Sequence, residues 1–525
     1  MGTGALALLV LRRDRVRLPL WVLALVGLTY ASAQAVGAAY PTQRAIDAYA
    51  DSLGSSPSAI AMSGPPVALH TRAGVVANEV MFTAVVGIAL LVLFLVVRHT
   101  RAEEEEGRAE LLRSAEVGRH AGAAAAMAVA LLASVVVGLG IAGAMASAEV
   151  PVPGALLFGA SITALGAVFA SIALCLAQVF NHARTTLGAG LAVLAAVYVL
   201  RAAGDVRGDW LVWLSPIGWS QATHAVGEAR WWPLLVSAAA ALILLAGAAV
   251  LAEHRDVGAG LYQSRPGPAV AARWLGGPIS LAFRLHRGAL LGWTGGMFLL
   301  AAMTGSLTRE MQQMAEGNPQ LQEYLRSSGS ASLTDSFFSS MFVILALMSA
   351  AYAVSSTLRL RAEETSGRLE LLLATGLSRR RWMLSSLLVT GLGSVLVLAA
   401  SGLGMGLAYG VVVSDPGQAL RMAALALVYA PAVLSLAGVA ALLVGCAPTW
   451  SKAAWGMLTL CFVLGWLGGL LNPPRWLEQL SPFAHTPLVP SQELGSGNLT
   501  ALALLVVLLC IAGVTGFRRR DVTGA

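Results

Sequence analysis

RAEEEEGRAELLRSAEVGR, residues 101–119, recurs 260 positions later in the chain as RAEETSGRLELLLATGLSR, residues 361–379. Ten of the nineteen aligned positions are identical, including acidic, glycine and arginine positions. The chain that surrounds these two blocks is 57% hydrophobic, so a repeated charged block is not ordinary filler. We therefore expect the first charged loop (101–119) and the second charged loop (361–379) to be the same loop in two copies of one fold.

The apolar runs between the charged segments are long enough to cross a bilayer. Only 12% of the residues are charged and the mean hydropathy is +0.74, and about 20 helical residues span a hydrocarbon core. Backbone groups in lipid must be hydrogen-bonded within their own segment, so these runs predict helices. The sequence thus predicts an all-α polytopic membrane protein. Twelve runs qualify as transmembrane helices: 18–37, 76–97, 121–147, 152–179, 187–203, 232–252, 289–306, 336–357, 382–410, 419–446, 453–471 and 499–517.

The positions of the basic residues predict the orientation. With a cytoplasmic N-terminus, 25 of the 34 arginine and lysine residues fall on the cytoplasmic side, as the positive-inside rule requires. We therefore expect both termini and both charged loops in the cytoplasm. This sorting also accounts for the net charge of +7 without a nucleic-acid partner. Residues 31–33 resemble a signal-peptide cleavage site, but the matching run at 289–306 lies in mid-chain, which favours a retained first span.

The duplication extends beyond the charged loops. WLVWLSP at 210–216 matches WLEQLSP at 476–482, and the Arg-Asp-Val sequence at 255–257 recurs at 520–522. Two six-span halves that both begin and end in the cytoplasm are parallel repeats about an axis along the membrane normal. The predicted organisation has three parts: a first six-span half at 1–258, a cytoplasmic linker at 259–275 and a second six-span half at 276–525.

The sequence lacks the residues that several kinds of chemistry require. Lys452, the only lysine, follows Ser451, where a nucleotide-binding P-loop requires glycine. The span centres hold essentially no carboxylates for a proton relay, and no mid-span histidine could serve as a catalytic base. The four cysteines have neither metal nor redox spacing. The sequence therefore predicts no enzyme activity, no metal and no cofactor in this chain.

The charged loops have the pattern of short helices. Glu104 with Arg108 and Glu364 with Arg368 are spaced i, i+4 with the acid first, the order that favours an ion pair on one helix face. Such a helix at the end of a span suits docking on another protein; the alternative is a solvated loop that is polar for topology alone. The segments 6–17 and 279–287, each before a first span, fit helices lying in the inner interface.

The R-A-E-E-x-x-G-R-x-E-L-L loops, the L-S-P segments and R-D-V-G-A-G-L at 255–261 resemble the membrane subunit of ATP-binding cassette type-2 exporters. The similarity is to the actinobacterial exporters of polyketide antibiotics and covers nearly the full length. This resemblance implies a permease in the bacterial cell membrane that exports hydrophobic small molecules. It also implies that one chain, as a fused pseudo-dimer, pairs with two copies of a separate ATPase subunit, which binds ATP and Mg.

The resemblance also implies which residues carry the function. In the family, the loop between the second and third spans couples to the ATPase, which maps here to Glu103, Glu104, Gly107, Arg108, Glu110, Glu363, Glu364, Gly367, Arg368 and Glu370. Substrate moves between the halves, along the second and fifth spans of each. The candidates there, for each of which ordinary packing is the alternative, are Met81, Phe82, Tyr198, Phe337, Phe338, Met341, Phe342, Trp455 and Phe462.

The two charged loops are not identical, which raises the hypothesis that the halves hold their ATPase copies unequally. Glu105 and Glu106 correspond to Thr365 and Ser366, so the first loop carries more negative charge. Two other functions stay open at this point: a membrane sensor or scaffold that binds an ATPase without transporting, and an ion-coupled drug carrier that needs no ATPase. An apolar pathway does not identify one particular substrate.

Overall fold

The computed structural model describes residues 2–54, 56–108, 117–255, 259–262, 270, 272–308, 333–471 and 474–521. Within these residues the backbone forms helices, and its only β-type contact is an isolated bridge between Phe180 and Tyr262. Residues 263–269 and 271 of the predicted linker at 259–275 lie outside the described residues.

The chain contacts divide into two compact units, Met1–Gly267 and Pro268–Ala525. The first unit contains α1 to α11: Thr3–Arg13, Arg17–Ala39, Gln43–Gly54, Pro57–Ser63, Arg72–His99, Arg101–Glu105, Ala121–Ala146, Val152–Val179, Ala183–Arg207, Pro216–Gln221 and Pro233–Glu253. The second unit contains α12 to α20: Pro278–Ser306, Leu333–Thr365, Arg368–Ala374, Arg379–Val413, Gln418–Leu427, Ala430–Cys446, Ala453–Leu471, Arg475–Glu478 and Ser496–Arg519.

Eleven helices in the described part of the chain are long and apolar enough to cross a membrane. This confirms an all-helical polytopic membrane protein. The predicted span at 453–471 forms α18, whose apolar stretch Ala453–Gly465 is shorter than a full crossing. The number of twelve spans therefore stays a prediction.

Two local predictions differ from the structure. The segment 6–17 forms a separate helix, α1, that ends at Arg13 before α2 begins. The segment 279–287, however, is the start of one continuous helix, α12, so a separate interfacial helix there is wrong. The fifth span of the first unit, α9, runs to Arg207 instead of ending at 203. The sequence signal misled because charged residues can continue a helix beyond its apolar part.

Small residues let the long helices of each unit approach closely. A side chain added at Gly138 on α7 would collide with the backbone of Gly159 on α8. In the second unit, Gly445 on α17 and Gly513 on α20 meet in the same way. Small residues at such crossings are typical of packing in membranes, where close van der Waals contact replaces the hydrophobic effect. The ends of these packed helices hold the two charged loops.

Candidate functional site

Each charged loop turns at a glycine with the same unusual backbone. α5 leads through Thr100 into α6, and Gly107 then adopts a φ of 71°. In the second unit α13 runs to Thr365, and Gly367 also has a φ of 71°. Residues other than glycine rarely adopt this left-handed conformation. The recurrence of glycine at these two positions thus has a physical reason, a tight turn after the second span of each unit.

This turn makes the predicted ion pairs wrong. The Arg108 guanidinium donates to both carboxylate oxygens of Glu103, at 2.9 and 3.0 Å, and not to Glu104. Arg368 Nε likewise donates to Glu363 at 2.8 Å and not to Glu364. An i, i+4 pair requires a continuous helix, and the left-handed glycine interrupts it. The hydrogen bond to Glu103 also raises the pKa of Arg108.

Glu104 is bonded instead by an arginine from the end of the first unit. The two terminal nitrogens of Arg255 donate to the two oxygens of Glu104 at 2.8 and 2.6 Å. Arg101 adds a third bond of 2.6 Å to the same carboxylate. A bidentate arginine–carboxylate pair is among the strongest side-chain interactions. We call Glu104, Arg101 and Arg255 the first ion cluster.

The second unit repeats this arrangement at the matching positions. Arg520 donates to the two oxygens of Glu364 at 2.5 and 2.7 Å, and Arg361 lies 2.8 Å from one of them. The Glu364 side chain is 0% exposed. We call Glu364, Arg361 and Arg520 the second ion cluster. Arg255 and Arg520 are the arginines of the repeated Arg-Asp-Val sequence. In each unit, therefore, the charged loop contacts the Arg-Asp-Val sequence.

The clusters also join further spans. In the first unit, Arg255 Nε donates to Gln178 at the end of α8, at 2.6 Å. In the second unit, Arg520 donates to the carbonyl of Val444 on α17, at 3.2 Å, and Arg379 at the start of α15 donates to the carbonyl of Arg520 at 2.7 Å. One glutamate in each unit therefore ties together the ends of the second, fourth and sixth spans.

The two loops differ in how they contact the rest of their units. Glu105 accepts a 2.9 Å hydrogen bond from the backbone of Ala183, the first residue of α9. The helix dipole stabilises a negative charge at this N-terminus. Glu106 pairs with Arg108. At the position matching Glu105, Thr365 bonds only to carbonyls of its own helix in the contacts described. The first loop is thus additionally attached to the fifth span.

α14 gives the second loop a buried anchor and an exposed tip. Leu369 is fully buried in a cluster that includes Trp382 and Phe517. Leu371 is 73% exposed, and Glu370 is also exposed. Glu110, the position matching Glu370 in the first loop, lies outside the described residues. The side chains of Glu370 and Leu371 are therefore accessible to another protein.

The candidate pathway residues of the first unit lie together. Phe82 on α5 and Tyr198 on α9 meet edge to face, with ring centroids 5.8 Å apart. Met81 lines a cavity of about 40 Å³, together with residues that include Asn78 and Phe158. The second and fifth spans are therefore in contact where the sequence placed the candidates.

The candidates of the second unit form two groups. Phe338 and Phe342 on α13 are fully buried, and they contact Tyr409 and Tyr429 at centroid distances of 4.8 and 6.2 Å. Phe337 and Met341 pack against the same core. The second group, on α18, is partly exposed and consists of Trp455 and Phe462.

The sequence analysis missed a buried ion pair in α9. The Arg201 side chain is 1% exposed and lies 3.2 Å from Asp205, whose side chain is 4% exposed. The signal was present, since Arg201 lies inside an apolar run one turn after Tyr198. The predicted span ends at 203, so Asp205 lies outside it and the ion pair is not evident from the sequence.

The described residues contain no cluster of metal-ligating side chains. No three His, Cys, Asp or Glu side chains come together there as metal ligands. A bundle of apolar helices with ion-paired loops at the ends of its spans defines a polytopic membrane protein.

Comparison with known proteins identifies the family. The profile of the family described as "Multidrug efflux system permease Rv1217c, C-terminal domain" matches residues 4–252 and 275–518. The chain is also 40% identical over 530 residues to the multidrug efflux system permease protein Rv1217c of Mycobacterium tuberculosis (strain ATCC 25618 / H37Rv), covering 99% of this chain and 95% of the relative. The chain belongs to this permease family, which confirms the resemblance found in the sequence and its class as a transport subunit rather than an enzyme.

Proposed function

We propose that this chain is the membrane permease of an ATP-driven exporter that moves hydrophobic small molecules, of the multidrug or polyketide type, out of the cell. The observation that carries the proposal is the repetition of one loop, with the same glycine turn and the same ion cluster, in both units. Two matching loops on one chain suit two copies of one motor. The printed name of the 40% identical relative, a multidrug efflux system permease, agrees with this function.

The proposed architecture is a fused pseudo-dimer of twelve spans. The first half comprises 1–258, the second 276–525, and 259–275 links them in the cytoplasm. Both halves run in the same direction as parallel repeats, and both termini lie inside the bacterial cell membrane. The sorting of arginine between the loops supports this orientation.

Coupling to the motor is proposed to combine two roles. Glu104 and Glu364 are bonded inside the permease, so they position the charged loops. The exposed tip at Glu370 and Leu371, and its counterpart at Glu110, contact the ATPase. ATP and Mg are bound by that partner, of which two copies serve one permease chain.

Substrate is proposed to pass along the second and fifth spans of each half. Methionine and aromatic side chains adapt to varied hydrophobic molecules, because thioethers are flexible and rings present large apolar faces. The contact between Phe82 and Tyr198 supports this in the first half.

Leu371→Asp tests the proposed docking surface. The change places a charge on an exposed side chain, so the fold should persist while the ATPase no longer co-purifies with the permease. Leu371→Ala is the matched control, and it should weaken recovery less. Unchanged recovery of the ATPase with Leu371→Asp would remove this tip from the interface.

A further inference from the structure

The last turn of α4 is bonded by side chains from other helices of the first unit. Tyr198 donates its hydroxyl to the carbonyl of Met62 at 2.6 Å, and Arg201 donates to the same oxygen at 3.1 Å. Gln221 of α10 donates to the carbonyl of Ser63 at 3.0 Å. The last carbonyls of a helix have no partner within it, and a cation at this end also suits the helix dipole. α4 is therefore fastened to α9 and α10 from outside.

Burial of Arg201 at this position costs folding free energy. It is 1% exposed within an apolar helix, its guanidinium lies 4.5 Å from the centre of the Tyr198 ring, and its Nε has no hydrogen-bond partner among the described residues. Burial of an incompletely satisfied charge costs stability. An ionisable residue retained inside a span is by default a functional candidate.

The last residue of α4, Ser63, borders a cavity that also contains the pathway candidate Met81. The cavity of about 40 Å³ is lined by Ser63, Leu69, Asn78, Met81 and Gln221, among others. Its walls thus come from the segment that follows α4, from α5 and from α10. The same Tyr198 that bonds α4 also contacts Phe82 of the pathway.

The fifth predicted span of the second unit has no counterpart of Arg201. That span, α18, carries no charged residue between Lys452 and Arg475. The second span, α13, is bonded instead through Ser339, which donates to the carbonyl of Leu488 at 3.1 Å and contacts Ser491 at 2.8 Å. The buried arginine is therefore a feature of the first unit.

We propose that Arg201 is a positioning residue for transport: it fastens α4 as a lid over the outer ends of the second and fifth spans, and export requires release of this lid. The inference rests on the proposed export function and on its orientation. Release breaks the hydrogen bonds from Tyr198, Arg201 and Gln221 to the last carbonyls of α4.

The test measures access to the cavity from outside the cell. Met81→Cys is introduced into the full chain, intact cells are treated with a membrane-impermeant maleimide, and labelling of position 81 is read by mass spectrometry of its peptide. Labelling should be slow in cells depleted of ATP and faster in energised cells. With Arg201→Met in addition, it should be at least about tenfold faster in depleted cells, since loss of one charge-assisted hydrogen bond shifts an equilibrium by that factor.

Two further variants separate the lid from general damage. Tyr198→Phe removes only the hydroxyl bond to α4 and should give an intermediate rate, which decides the matter if Arg201→Met does not accumulate. Arg207→Met, at an exposed position on the same helix, should leave the rate unchanged. Equal labelling rates with and without Arg201 or the Tyr198 hydroxyl would overturn the proposal. A labelling rate of the Met81→Cys protein that does not depend on ATP would also overturn it.

Efflux of a fluorescent drug from the same cells distinguishes this failure from that of the proposed function. Energy-dependent efflux with labelling that does not respond to ATP or to these variants rejects the lid alone. Absence of efflux in cells with the unaltered chain rejects the export function on which the lid depends.

Discussion

Glu364→Gln should destabilise the second unit more than any other single neutralisation in its charged loop. The substitution keeps the shape of the side chain but removes the charge that faces Arg520 and Arg361, which lie 2.5 and 2.8 Å away. Removing one partner of a buried ion pair costs about 3–5 kcal/mol, because the remaining charge is left uncompensated. Arg520 is 17% and Arg361 25% exposed, so water partly compensates them and the low end applies.

The measurement is thermal unfolding of the purified chain in detergent. A loss of about 3 kcal/mol corresponds to a midpoint roughly 6–12 °C lower for a unit of this size. Glu370→Gln, at an exposed position of the same loop, is the matched control and should shift the midpoint by less than about 2 °C. Glu104→Gln should reproduce the loss in the first unit. A Glu364→Gln midpoint equal to that of Glu370→Gln would refute the structural role of the second ion cluster.

Three further predictions follow from single sites. Gly367→Ala should destabilise by about 1–2 kcal/mol because of its positive φ, whereas Gly288→Ala, in α12 with open space around it, should be neutral or stabilising; thermal unfolding compares them. Arg368→Ala should cost at most about 1 kcal/mol in the same assay, because its side chain is largely exposed. Burial, and secondarily Arg230, lower the pKa of His224, so its protonation opposes folding; stability should fall as the pH drops below the ordinary histidine pKa of about 6.5, and His224→Gln should remove that part of the dependence.

Each of these has a result that contradicts it. Equal midpoints for the two glycine variants would mean that the turn tolerates a side chain. A loss with Arg368→Ala as large as that with Glu364→Gln would show that exposure does not set the energies of these pairs. An identical pH profile with and without His224 would assign the acid sensitivity to other groups.

The sequence predicted the class of fold and located the two repeated loops because both depend on patterns that are visible in the sequence itself. Apolar runs of span length predict membrane helices whatever their neighbours are. The repeat at 101–119 and 361–379 located the loops, and the recurrence of Gly107 and Gly367 indicated a backbone requirement. These inferences needed no knowledge of which helices pack together.

Predicting which charged residues form ion pairs did require knowledge of the helix packing. Spacing alone assigned Arg108 to Glu104, whereas the left-handed turn directs Arg108 to Glu103. Glu104 then meets Arg255, which lies about 150 residues further along the chain and reaches it only because the second and sixth spans end at the same place. Arg201 also has partners outside its own helix, since it donates to carbonyls of α4.

Reconstitution with the proposed ATPase partner tests the central claim most directly. The chain is placed in liposomes with and without that ATPase, and accumulation of a fluorescent hydrophobic drug is followed with ATP, without ATP and under a proton gradient alone. The account predicts vectorial transport that requires ATP and the ATPase, with two ATPase copies per permease chain. Drug-stimulated ATP hydrolysis without transport would instead identify a sensor, and transport driven by the proton gradient without the ATPase would identify an ion-coupled carrier; either result would contradict the account.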